Sequence, residues 1–188
     1  MKKILLAMFA LLMTINVMAA DELIYVKSGS ANVLKEDAVS SFALDYSHVQ
    51  VNEKASLDEY AKTRNDADFL ENYHKDMAAG GQQFAKTYTK KSKGLKFDTA
   101  GGKYATTFTV EKMDMGNVGV GLFAWKKGQG GIGLVGDITV KDVATGETVL
   151  VLRVDNVKGL IDFSETSRIR SAFDELAKAI VKYVKKLN

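Results

Sequence analysis

Two histidines, His48 and His74, and no cysteine stand in a chain of 188 residues, and that inventory bounds the available chemistry. Without thiolates, a structural zinc site of the usual Cys/His kind cannot be assembled. Glu71-x-x-His74 has the spacing of half a carboxylate di-metal motif, but the second Glu-x-x-His that such a site needs is missing. Asp66-Ala67-Asp68 opens like a calcium loop, yet Leu70 and Glu71 replace the required oxygen donor and turn glycine. Nucleophilic catalysis asks for a serine beside a positioned base, and neither G-x-S-x-G nor S-x-x-K occurs. The acidic residues offer many pairs, none in an apolar, aromatic-rich context that would raise a carboxyl pKa for glycoside chemistry. The expectation is a non-enzyme with no catalytic residue, no metal and no cofactor.

Two glycine motifs test a nucleotide reading. Gly131-Ile132-Gly133-Leu134-Val135-Gly136 matches G-x-G-x-x-G, which works only where a helix follows and presents its N-terminus to pyrophosphate. Here Asp137-Ile138-Thr139-Val140-Lys141 follows with the alternation of a strand, so the glycines are expected to thin a strand or loop. Gly102-Lys103 runs into Tyr104, and Phe97 stands where a phosphate loop needs glycine.

The segment from Gly116 to Gly136 holds eight of the sixteen glycines and encloses Phe123, Trp125 (the only tryptophan), Lys126 and Lys127. Glycines flanking an aromatic tip suggest a mobile hairpin or loop able to reach a partner protein or a membrane surface, with the lysines toward anionic headgroups. The competing reading packs Phe123 and Trp125 over a sheet and leaves the lysines in water. Those four residues are the candidate partner contact.

The address is written at the start. Met1-Lys2-Lys3, an apolar run from Ile4 to Val17 and small residues at Ala19-Ala20 form the three-part layout of a secretory signal peptide. Cleavage is expected after Ala19 or Ala20, making residues 1–20 a leader and residues 21–188 one domain. No cysteine near the cleavage point can carry a lipid, so the mature chain is expected to be periplasmic or secreted and not lipid-anchored. The whole chain carries 26 basic against 23 acidic residues, and two of the lysines belong to the leader. A near-neutral body gives no electrostatic reason to expect nucleic acid.

The elements follow from periodicity. Ile24-Tyr25-Val26 starts an extended segment. Phe42, Leu44 and Tyr46 alternate on one face and Val49 and Val51 on the other, which suggests one strand with a bulge. Ser56-Leu57-Asp58-Glu59 is a capping box that starts a helix. Asn65 or Asp66 is placed to cap a second, with Phe69, Tyr73, Met77, Phe84 and Tyr88 on its inner face. Gly80-Gly81 predicts a kink or break there, at about 1 kcal/mol per glycine relative to alanine. Tyr104 to Val110 and Leu134 to Val140 alternate as strands, and Ala144-Thr145-Gly146-Glu147 turns the latter into a hairpin with Leu150, Leu152 and Val154. Ser164 caps a long amphipathic C-terminal helix carrying Ile169, Phe173, Leu176, Ile180, Val184 and Leu187, with lysines crowding its end. The predicted fold class is α+β: a single domain with a mixed or antiparallel sheet and two to three helices packed on it.

This layout resembles small uncharacterised secreted proteins of Gram-negative bacteria. From about Tyr104 onward it is more distantly similar to envelope lipoproteins related to the curli secretion-channel subunit, through a turn in which an aspartate precedes Thr-Gly-Glu or Thr-Gly-Lys. Asp142, Thr145 and Gly146 match that turn. The resemblance implies an α+β domain and an envelope role without known chemistry, while the missing lipid-bearing cysteine departs from the lipoproteins. Function is therefore expected to be non-catalytic binding to, or assembly with, envelope or surface components. The alternative is a carrier of a small apolar ligand, held between helices and sheet by Phe69, Tyr73, Phe84 and Tyr88.

Overall fold

Tyr104, Thr106, Phe108 and Val110 turn inward at every second residue, and around them the sheet is assembled. The computed structural model describes residues 23–117, 119 and 130–187, so residues 1–20, the expected leader, lie outside it. Among the described residues seven strands form one mixed sheet: β1 (Ile24–Gly29), β2 (Val39–Asp45), β3 (Gln50–Val51), β4 (Lys96–Phe97), β5 (Tyr104–Asp114), β6 (Gly133–Asp142) and β7 (Thr148–Lys158). Their order is β1-β7-β6-β5-β2-β4, with β3 continuing beside β5. The pairs from β1 to β5 are antiparallel, whereas β2 runs parallel to both β5 and β4. Helices α1 (Leu57–Ala61), α2 (Phe69–Lys91) and α3 (Glu165–Lys186) complete the α+β fold.

The expected hairpin is present: β6 and β7 are joined by the turn at Gly146 (φ 75°), and the Asp142 carboxylate accepts from the Ala144 and Thr145 amides. The capping box also forms, with Ser56 accepting from the Glu59 amide and Glu59 reaching back to the Ala55 amide. Ser164 caps α3 through the Ser167 amide, and Ile169, Phe173, Leu176 and Ile180 are buried beneath it. The glycines of the nucleotide-like motif run into β6, as the alternation after them required. A Cβ on Gly136 would lie 2.1 Å from the Thr109 carbonyl oxygen of β5, so that residue keeps two strands close.

Three expectations are corrected. Phe42 to Val51 is not one bulged strand; β2 ends at Asp45, whose carboxylate takes the Ser47 amide and hydroxyl, and β3 starts afresh at Gln50. The second helix is capped neither by Asn65 nor by Asp66: it begins at Phe69, with Asp68 at the cap, while Asp66 accepts the Asp68 amide one step earlier. Gly80-Gly81 neither breaks nor ends α2, which runs unbroken for 23 residues. A Cβ on Gly80 would sit 2.4 Å from Phe173 Cδ2, so the missing side chain lets α3 approach. Tertiary packing outweighs a weak local propensity here.

Helices α2 and α3 cover one face of the sheet. On the other face Thr107, Thr109, Thr139 and Val151 are half-buried, beside an ion-pair row in which Asp137 joins Lys27 (2.6 Å) and Arg153 (3.1 Å). None of the described helices is long and apolar enough to cross a membrane.

Candidate functional site: a groove between α2 and the edge of β2

β4 covers only the start of β2. The Ala38 and Ser40 carbonyls accept from the Lys96 and Asp98 amides, and there the pairing stops. Main-chain groups alternate sides along a strand, so those of Phe42 and Leu44 point to the same side as Ser40. Among the described residues no main-chain bond reaches them from that side. The opposite side of β2 is paired in register with β5 from Ser40 to Asp45.

The side chains of Phe42 and Leu44 form the floor of a groove of about 410 Å³, with Tyr46 at one end and Phe97, Asp98 and Thr99 at the other. The wall is α2, which presents Ala78, Gly81, Gln82 and Ala85. Gly81 has Leu44 and Phe42 carbons 3.6 Å from where its Cβ would stand, an ordinary contact distance. Nothing there demands a glycine; its absent side chain leaves room. Behind the floor, Phe42 meets Phe84 (centroids 4.7 Å) and Phe97 (5.2 Å), which holds the ring in place. At the far end the Tyr46 hydroxyl and His74 Nδ1 are hydrogen-bonded at 3.0 Å. Burial raises the Tyr46 pKa, so the phenol is neutral near pH 7. The one carboxylate in the lining, Asp98, accepts the Ala100 amide at 2.8 Å. This surface can hold an apolar group and offer main-chain hydrogen bonds beside it.

The aromatics expected to line a carrier cavity are placed elsewhere. Phe69, Tyr73, Phe84 and Tyr88 are no more than 5% exposed and pack as core, so the cavity between helices and sheet is filled. Tyr73 donates to Met113 Sδ at 3.2 Å. The Tyr88 hydroxyl has no partner at hydrogen-bond geometry, although Ser92 stands near enough to ease its ionisation. Burial pushes its pKa up to about 12. The space available to a ligand lies one layer outward, over Phe42. Sequence reasoning placed Phe42 and Leu44 on a strand face but missed the groove; its signal was small residues at helical spacing, Ala78, Gly81 and Ala85.

The other candidates are dispersed. His74 and Glu71 lie exposed on α2, Glu71 pairing with Lys75, and Asp66 serves a turn. Phe123, Trp125, Lys126 and Lys127 lie outside the described residues. Residues 118 and 120–129 lie outside the described residues; at the border of that stretch the Asn117 amide bonds the Gly130 carbonyl at 3.1 Å. Beside that bond is a polar cleft of about 1000 Å³ lined by Lys54, Lys112 and Lys158 together with Asn52 and Asn156, both at positive φ. Its polar groups are in part committed to the fold, Asn52 Oδ1 accepting the Met115 amide and Asp114 the Gly116 amide.

No protein-family model matches the chain, and no curated protein does. Among solved structures it is similar to the PelC dodecamer from Paraburkholderia phytofirmans and to a single-substitution variant of it. The variant shows 13% identity at a TM-score of 0.38 over 84% of this chain and 95% of that one. The other shows 12% identity at 0.38 over 83% and 96%.

Proposed function

We propose that the chain is exported and acts in the cell envelope as a non-catalytic binding protein, holding an apolar part of an envelope or surface component in the groove between α2 and β2. The observation that carries this reading is the groove itself, an apolar recess with an unfilled space over Gly81 and a strand edge along its floor that is unpaired among the described residues. The leader-like segment at residues 1–20 supports export. Phe123, Trp125, Lys126 and Lys127, outside the described residues, are a second proposed contact. The groove volume also favours a second reading, carriage of a small apolar ligand, because it falls within the range of small-molecule sites.

Because the chain has no cysteine, a single one can be introduced and labelled. Gln82→Cys carrying a photo-crosslinker is expected to give a discrete adduct in envelope extract. Lys141→Cys, on the sheet face away from the helices, is expected to give none, and Gly81→Leu, which fills the groove, to abolish the Gln82 adduct. Equal adducts from both positions, or an adduct that survives Gly81→Leu, overturns the assignment.

A further inference from the structure

Edge strands are normally guarded against adding another chain by charge, proline, bulges or short length. β1, at one edge of this sheet, is guarded in that way. It carries a register shift between Val26 and Ser28, a lysine at Lys27 held by Asp137, and Gly29 at φ 80°. β2 beyond Ser40 has none of these. Phe42-Ala43-Leu44 contains no charge and no proline, and its pairing with β5 runs without a register shift.

We infer that the occupant of the groove is an extended polypeptide whose backbone adds a strand to β2 at Phe42 and Leu44 and whose alternate side chains are apolar. This rests on the groove being the binding site. The chemistry is complementary in two respects. Phe42 and Leu44 each offer an outward amide and carbonyl, four groups that a fatty chain cannot satisfy and an extended backbone can. The same two residues lay their side chains along the groove floor, so a strand bonded to them turns every second side chain toward Ala78, Gly81 and Ala85. Those small residues leave the space that such side chains need. The open edge from Phe42 to Asp45 spans about 13 Å, room for roughly four residues. β4 and the Phe97–Thr99 corner block extension at one end, and the Tyr46–His74 pair stands at the other.

The test uses the peptide acetyl-Ser-Val-Ser-Leu-Ser-amide, two forms of it N-methylated at alternate amides, and laurate, each titrated into the folded protein by NMR. The expected result is binding of the parent peptide with shifts at Phe42, Leu44 and Gly81. One N-methylated form should bind about tenfold more weakly, through loss of two donors, while the other, whose methyl groups point away, stays within about twofold. Gly81→Leu should abolish binding while keeping the native amide spectrum. Equal binding by both N-methylated forms overturns strand addition. So does laurate binding without peptide binding, an outcome that leaves the groove as the site. Failure of peptide and laurate together with loss of the Gln82→Cys adduct overturns both readings.

Discussion

Gly80 and Phe173 occupy one another's space: a Cβ on Gly80 would lie 2.4 Å from Phe173 Cδ2 and 2.7 Å from Cε2. Phe173 cannot easily retreat, being fully buried and set edge-on to Phe108 at 6.2 Å. The neighbouring Gly81 faces the groove, so two adjacent glycines predict opposite outcomes. Gly80→Ala gains about 1 kcal/mol of helix propensity but overpacks the helix crossing, for a net loss of about 1–2 kcal/mol. Gly81→Ala keeps the propensity gain and is expected to stabilise by up to about 1 kcal/mol. Urea unfolding of the two variants checks the signs.

The helix pair is also tied by a polar clamp at Asp174 of α3. Gln83 and Thr87 of α2 donate to one carboxylate oxygen, at 3.0 and 2.5 Å, and Lys178 to the other at 2.6 Å. Burial works to raise this carboxyl's pKa, but the bonds from Lys178, Thr87 and Gln83 outweigh it and hold the value below the ordinary one. A depressed native pKa stabilises fully above the unfolded value of about 3.9, and that contribution is lost as pH falls through the lower native value. Asp174→Asn is therefore expected to cost about 1–2 kcal/mol near pH 7, with the difference shrinking as pH falls below the unfolded value and vanishing only below the lower native one. Denaturation across pH 2–8 measures it.

Tyr88 carries a fully buried hydroxyl that, among the described residues, has no partner at hydrogen-bond geometry, with Ser92 close by. Tyr88→Phe removes the desolvated group and leaves the ring, which packs on Phe97 at 4.9 Å. Thermal unfolding should show unchanged or higher stability, by up to about 1 kcal/mol. A clear loss would mean that the hydroxyl is bonded in solution.

Trp125, the only tryptophan, reports alone on the glycine-flanked segment. If that segment presents an exposed tip, its emission is red-shifted and quenched by iodide, and limited proteolysis cuts there first. A blue-shifted, unquenched emission in the isolated protein removes Phe123, Trp125, Lys126 and Lys127 from the proposed contact.

Where one local rule governs, the sequence was legible. Caps at Ser56 and Ser164, the Asp142–Glu147 turn and the alternation in β5, β6 and β7 all depend on near neighbours, and they appear where residue types place them. What failed was governed by contacts distant in sequence. The Gly80-Gly81 pair suggests a kink or a break, and the break is absent because the helix packs on Phe173, 93 residues away, whose ring takes the space that a Gly80 side chain would fill. Phe69, Tyr73, Phe84 and Tyr88 looked equally suited to line a cavity or fill a core, and only the closure of α3 over α2 and the sheet decides between them. The groove was hidden for the same reason: no residue of β2 reveals that β4 stops after two pairs and that, among the described residues, no other strand takes up Phe42 and Leu44 on that side.

The central claim is that β2 offers an unoccupied edge to an incoming strand, and residue-resolved amide hydrogen exchange reads that edge directly. In the free, monomeric protein the Phe42 and Leu44 amides should exchange fast, whereas Ala43 and Asp45, turned toward β5, are protected; adding the parent peptide should slow Phe42 and Leu44 selectively. Slow exchange at Phe42 and Leu44 before any ligand is added would contradict the account, because the edge would already be paired within the chain or with a second copy.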